Sequence, residues 1–189
     1  MFTALLDANV LVPISLADTV LRAAEKEIYL PRWSKAILGE TDRALRRVRP
    51  DLPESRVRAR LTAMNDRFPE ACVEHFEGLV PTIHLPDAND RHVLAAAVVG
   101  HADVIVTRNL KDFPPEDLAP WNLETVDPDT FLRDMLDLLP DIMVKVIIEQ
   151  AADKQHPAQG IDDVLISLER AGVPGSVKDV HDQLKMMRG

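Results

Sequence analysis

Cysteine is almost missing from this 189-residue chain, where Cys72 stands alone. One thiol excludes a disulfide framework and a thiolate zinc site, and it suits a reducing compartment. Aromatic side chains supply only 4% of the residues, so a core has to be built from aliphatic ones. Positive charge is short too: 22 Lys and Arg face 31 Asp and Glu, a formal net charge of −9. That balance argues against a general affinity for nucleic acid or anionic membrane and leaves room only for a local basic stripe. The longest uncharged apolar run, Val93 to Val99, is far too short to span a bilayer. The N-terminus, MFTALLDANVLV, lacks the basic region and small-residue cleavage site of a secretory signal. A soluble cytoplasmic protein with no membrane partner is expected. A glycine-rich phosphate loop and a nucleophile elbow are both absent. The six His residues show no metal-binding spacing, and His92 and His101 read as helix-surface or capping residues.

What is present is an alternation of short strands and helices. Phe2 to Leu6 is an apolar run ending in Asp7-Ala8-Asn9, the pattern of a first strand with a polar group at its C-terminal end. Val20 to Glu27 reads as a helix, and Ile28 to Pro31 as an extended segment stopped by its proline. Helices follow from Trp33 to Val48 and from Ser55 to Arg67, each closed by proline. Cys72 to Phe76 and Thr82 to Leu85 are candidate short strands, Leu123 to Val126 a weak one, and Asp127-Pro128-Asp129 opens a helix over Thr130 to Leu139. This order predicts a three-layer α/β/α domain with a mainly parallel sheet over residues 1–140. Residues 141–189 read as a purely helical appendage: Ile142 to Ala152, a loop around Pro157 and Gly160, a stripe at Ile161, Val164, Leu165 and Leu168, and another at Val177, Val180, Leu184 and Met187 after a cap at Ser176.

The stretch from Leu85 to Phe113, LPDANDRHVLAAAVVGHADVIVTRNLKDF, organises the chemistry. A carboxylate-rich entry leads into a helix from about Asp90 to Val99, closed by Gly100 as a residue suited to the left-handed position. A β-branched strand, Asp103 to Thr107, comes next, and Arg108, Asn109 and Asp112 follow where parallel sheets keep their sites. One helix face carries Asp90, Val93, Leu94, Ala97 and Val98. Another, in the Trp33 helix, carries Trp33, Ile37, Glu40, Ala44 and Val48. Both therefore set a carboxylate in an apolar stripe, which is costly unless something pairs with it. Ordinary structural roles are open for each acid: Asp7 and Asp90 as helix caps, Glu40 at the edge of its stripe paired with Arg43 or Arg47, Asp112 as loop chemistry. Converging instead, Asp7, Glu40, Asp90 and the Asn109–Asp112 loop would repel one another without a cation. Mg²⁺ or Mn²⁺ favours such oxygen-only sites, and such an ion suits hydrolysis of phosphodiesters.

The set LLDANVLV, WSKAILGE, PDANDRHVLAAAVVGHADVIVT and TRNLKDFP resembles the PIN-domain ribonucleases, notably the VapC toxins of bacterial toxin–antitoxin pairs. The resemblance covers roughly residues 1–140 and implies a PIN-like α/β fold. It also implies Mg²⁺- or Mn²⁺-dependent endoribonuclease activity, inhibition by a cognate antitoxin and a homodimer. Position by position, the family's acids fall on Asp7, Glu40 and Asp90, with Asp87 a companion in this PDxxD form. The fourth falls within Thr107 to Asp112. Many relatives carry Asp where this chain has Asn109, which leaves the last ligand to Asp112 or to a contact through water and the metal count open. The helical tail resembles the extra C-terminal domain of a subset of these toxins.

Eight arginines, among them Arg43 and Arg47, make residues 41–67 locally basic, either for RNA phosphates or as a solvated face paired with nearby acids. Arg91 and Arg108 adjoin the acids and are candidates to contact the scissile phosphate. Asn9, two residues after Asp7, orients that acid or caps a turn. A haloacid-dehalogenase-like phosphatase also begins with an Asp after its first strand, but resemblance to it implies a second Asp at position 9, here Asn9. The remaining alternative is a PIN-like module that binds RNA or protein without cutting.

Overall fold

Two largely apolar runs, Phe2–Leu6 and Val104–Val106, explain the centre of the molecule, because each is flanked by turn residues and mostly buried. The computed structural model describes residues 1–154, 158 and 160–187; Pro157 of the expected loop lies outside them. In chain order the elements are β1 (Phe2–Leu6), α1 (Ala8–Leu11), α2 (Ile14–Glu25), β2 (Tyr29–Ser34), α3 (Lys35–Val48), α4 (Glu54–Arg67) and β3 (Cys72–Val73). Then follow α5 (Arg91–Val99), β4 (Val104–Val106), α6 (Pro115–Leu118), β5 (Glu124–Val126), α7 (Pro128–Leu138), α8 (Pro140–Ala152), α9 (Ile161–Arg170) and α10 (Pro174–Met186).

The strands form one parallel sheet in the order β3-β2-β1-β4-β5. Central β1 pairs Ala4 with both Pro31 and Val104, and Leu5 with both Arg32 and Ile105. Its residues Ala4, Leu5 and Leu6 are fully buried, as are Ile105 and Val106. A parallel sheet puts every strand's C-terminal end on one edge, so Asp7 and Thr107 come together just past β1 and β4. The expected α/β class, with a parallel sheet and helices after it, is what the chain adopts.

Details differ from the sequence reading for local reasons. Pro31 does not stop β2, which runs on to Ser34; β3 pairs with β2 only from Trp33, so Pro31 has no ladder partner on that side to lose. Trp33 therefore lies in the strand, and α3 starts at Lys35 behind Ser34, whose Oγ accepts the Ile37 N–H at 3.2 Å. Thr82 to Leu85 forms no strand: Val80–Thr82 is a 3₁₀ turn, and Ile83 and Leu85 bury their side chains without joining the ladder. Gly100 is not left-handed (φ −76°), and His101 takes that conformation instead (φ 51°). Glycine at 100 serves close packing, since a Cβ there would stand 2.7 Å from Val73 Cγ2 and 2.8 Å from Ala96 O.

The chain falls into two compact units, Met1–Val12 with Tyr29–Val126, and Pro13–Ile28 with Asp127–Gly189. This division differs from a border at residue 140. The helical unit takes in α2 and α7, because their apolar faces pack with the later helices. Leu16, Ala17, Val20 and Ala23 of α2 are fully buried, and Thr19 Oγ1 donates to Gln150 Oε1 of α8 at 2.7 Å. In α7, Asp127 caps the helix by accepting the N–H groups of Asp129 and Thr130. Asp129 in turn accepts those of Gly175 and Ser176 at 2.9 and 2.7 Å. Ser176 is thus inside the first turn of α10, and its N-terminal donors are satisfied from α7 rather than by a cap of its own. No described helix is long and apolar enough to cross a membrane.

Candidate functional site

Asp7 closes β1 and caps the single turn of α1, accepting the Ala8 N–H on Oδ1 at 2.6 Å. Its Oδ2 accepts from Thr107 Oγ1 at 2.7 Å and from Asn9 Nδ2 at 2.5 Å. Asn9 also donates to Thr107 Oγ1 at 3.0 Å and accepts the Arg108 N–H at 3.1 Å. The capping role and the buried acid are therefore the same residue, only 6% exposed. Burial pushes its carboxyl up from the usual carboxylate range; the Thr107 and Ala8 bonds pull it back down, and the Glu40 charge pushes it up further. Of the two readings of Asn9, the orienting one holds, and Thr107 is a partner that β4's apolar pattern gave no reason to single out.

Asp90 occupies the last position of a 3₁₀ turn, Ala88–Asp90, immediately before α5. It makes no capping hydrogen bond. A helix N-terminus would hold its carboxyl low; instead it is pushed up to about 6, first by burial, then by the charges of Asp7, Asp87, Asp112 and Glu40. Those five acids, from four separated segments, thus share one electrostatic neighbourhood. Asp87 is exposed and accepts the Asn89 N–H at 2.8 Å. Asp112 ends a 3₁₀ turn, Leu110–Asp112, while Asn109 is exposed and donates its backbone N–H to Thr107 Oγ1 at 3.1 Å.

Glu40 departs from its expected place. The buried face of α3 is Ile37, Leu38, Thr41 and Leu45, and Val48 is exposed, so Glu40 sits at the stripe's edge, 35% exposed. Its partner is neither Arg43 nor Arg47 but His92 of α5, with Nε2 to Glu40 Oε1 at 2.9 Å. His92 is accordingly not a helix-surface or capping residue: only 17% of its side chain is exposed. It also lines an open cleft of about 620 Å³ with Lys35, Val73, Glu74 and Val80. Its place in the first turn of α5, two residues after an acid, was the one sequence signal available.

Among the arginines, Arg46, Arg49 and Arg58 pair with Asp42, Asp51 and Glu54, the solvated face that was one of two readings. Arg43 and Arg47 are exposed on α3 and have no ion pair among the described residues. Arg91 is half-buried, its Nε without a hydrogen-bond partner among the described residues, and burial pulls the Arg108 guanidinium below its ordinary value.

Among the described residues, no group of three or more His, Cys, Asp or Glu side chains is arranged so as to hold a metal ion by itself. The donor chemistry nevertheless fits a hard divalent cation. The set is oxygen-only, neighbouring acids raise Asp7 and Asp90, and Asp7 Oδ1, Glu40 Oε1 and Asp90 retain free lone pairs. Mg²⁺ asks no more than one or two direct carboxylates and keeps several waters.

A family model described as "PIN domain" matches residues 3–111, and one described as "VapC50 C-terminal domain" matches residues 128–182. The second match begins one residue into the Asp127–Gly189 segment of the helical unit. The chain is similar to a Mycobacterium tuberculosis protein named "Putative ribonuclease VapC50", 52% identical over 59 residues, 31% of this chain and 35% of that protein. The match thus spans about a third of the length of that curated relative. No solved structure matches.

Proposed function

Because the chain belongs to the PIN-domain family, we propose that it is a metal-dependent endoribonuclease, the toxin of a type II toxin–antitoxin pair. Support comes chiefly from one observation: Asp90 is held half-buried, and the charges of Asp7, Asp87, Asp112 and Glu40 together with its burial push its carboxyl up. Leaving acids in that state costs stability, so the arrangement makes sense where a divalent ion completes it. Asp7, Asp90 and Glu40 would hold Mg²⁺ or Mn²⁺, with Asp87, Asp112 and Asn109 at its periphery, the last two through water. Such an ion, when bound, supplies activation of water and neutralisation of charge on the phosphate.

The chain's own residues do the positioning. Thr107 and Asn9 lock the Asp7 carboxylate in one orientation, a requirement for a site that must be preorganised. Arg91 and Arg108 flank the acids and would bind the scissile phosphate, while Arg43 and Arg47 offer unpaired charge to the RNA backbone further along. In this reading the protein works in the cytoplasm, as a homodimer, and a cognate antitoxin restrains it.

The test is cleavage of a structured RNA with Mn²⁺, with EDTA, and by Asp7→Asn and Asp90→Asn. Metal-dependent cutting that both variants lose is expected. Metal-independent cutting, or full activity in both variants, overturns the reading. Tight RNA binding with no cleavage under any metal would instead favour the binding-module alternative.

A further inference from the structure

We propose that His92 is a positioning residue: its Nε2–H fixes the Glu40 carboxylate beside Asp7 and Asp90, and so sets how well the acids take up a divalent ion. The inference rests on the metal-dependent reading above. An isolated glutamate on a helix edge has three side-chain torsions to settle. Glu40 is one, since the arginines one and two turns along its own helix, Arg43 and Arg47, do not engage it. The ring that does engage it is itself packed, with 17% of the side chain exposed, and belongs to the helix that Asp90 introduces. One hydrogen bond thereby ties the second acid to the helix that the third introduces. An ionised carboxylate only accepts, so the proton of the bond lies on Nε2. Nδ1 is buried with no partner among the described residues, so neither nitrogen is left to face an ion, and the ring acts through Glu40 instead of ligating. Histidines that ligate use one nitrogen for the metal and donate from the other, which this arrangement does not permit.

The experiment measures Mn²⁺ affinity by electron paramagnetic resonance on wild type, His92→Phe, which fills the space without a donor, and His92→Gln, which keeps one. Loss of an outer-shell partner costs about 10–100-fold. The Mn²⁺ Kd of His92→Phe should rise by that factor and that of His92→Gln by about threefold or less. RNA cleavage should show the loss in kcat with KM nearly unchanged. A purely structural role would instead lower Tm in both variants alike and leave the metal affinity of folded protein intact. In metal-free wild type, ring ¹⁵N shifts at pH 8 should report the Nε2-protonated tautomer; the Nδ1-protonated form overturns the proposal even if His92→Phe fails to fold. Wild type that takes up Mn²⁺ no better than His92→Phe does refutes this inference alone. Wild type that takes up none refutes the metal-dependent reading and this inference together.

Discussion

The helical unit and the strand-end cluster of the sheet unit treat their carboxylates in opposite ways. In the helical unit Glu149 is bonded to Lys26 at 2.7 Å, and Asp18 and Asp153 share Arg22 at 2.9 and 2.8 Å. The Lys26 bond holds Glu149 below the usual carboxylate range. In the sheet unit Asp42, Asp51 and Glu54 are matched by arginines in the same way, but the acids past the strand ends meet other acids, and burial with four neighbouring charges lifts Asp90 to about 6. Charges in the first case have been matched for folding; in the second they have been left unmatched at a cost that folding does not require. That asymmetry separates a structural surface from a site without any appeal to function.

The largest expected effect would break the comparison outright. Asp90→Asn should lower RNA cleavage about 1,000-fold, on the order of 4 kcal/mol of barrier, while Gln substitution of Glu149 leaves cleavage as it is. Equal losses in the two would mean that the acids of the sheet unit are not special. Next in size is Gln150→Leu, which removes a buried donor and acceptor in the helical unit and leaves Thr19 Oγ1 to donate to Ser15 O alone. It should cost about 0.5–1.5 kcal/mol in chemical denaturation with no change in metal requirement.

The stability of metal-free protein sharpens the contrast. Asp90 in the folded state titrates near 6, above its ordinary value of 3.8, so between these values the native state holds more protons than the unfolded one. Its contribution is intact below about pH 4 and is lost as pH rises through about 6. Glu149, held low, acts with the opposite sign: its contribution is present above its ordinary value of 4.5 and fades as pH falls. With EDTA present, the Tm of Asp90→Asn should therefore pull ahead of wild type from pH 4 to pH 7. With its partial exposure discounted, the gain is about 1 kcal/mol, or about 2–4 °C. Asp7→Asn should gain less, because a new amide donor would face Asn9 Nδ2, itself a donor. A gain at position 7 as large as at position 90 would contradict that geometry. The smallest effect is Lys26→Ala, which removes a partly exposed ion pair and should lower Tm in thermal melts by less than any change above.

Legibility in the sequence followed the range of the interaction. β1 reads from Phe2 to Leu6, and α7 from its Asp127-Pro128 start, because apolar periodicity and caps act within a few residues. Asp7 and Asp90 stood out for the same local reason, as acids at the ends of apolar runs. Pro31 misled, since whether a proline ends a strand depends on a neighbour forty residues away. Glu40 was singled out for a place in a stripe that it does not hold, and its true partner His92 lies 52 residues on.

The chain's own order of residues determined the class of fold, the places where strands end in polar groups, and the oxygen-only character of the candidate site, because these depend on hydrophobic period and side-chain chemistry. Which acids share a neighbourhood, that Thr107 and Asn9 hold Asp7, that His92 answers Glu40, and that α2 and α7 side with the tail were decided by tertiary structure alone. The physical reason is one of distance: charges and hydrogen bonds act over a few ångströms, and only the folded sheet and its helices bring residues 7, 40, 90 and 107 within that reach.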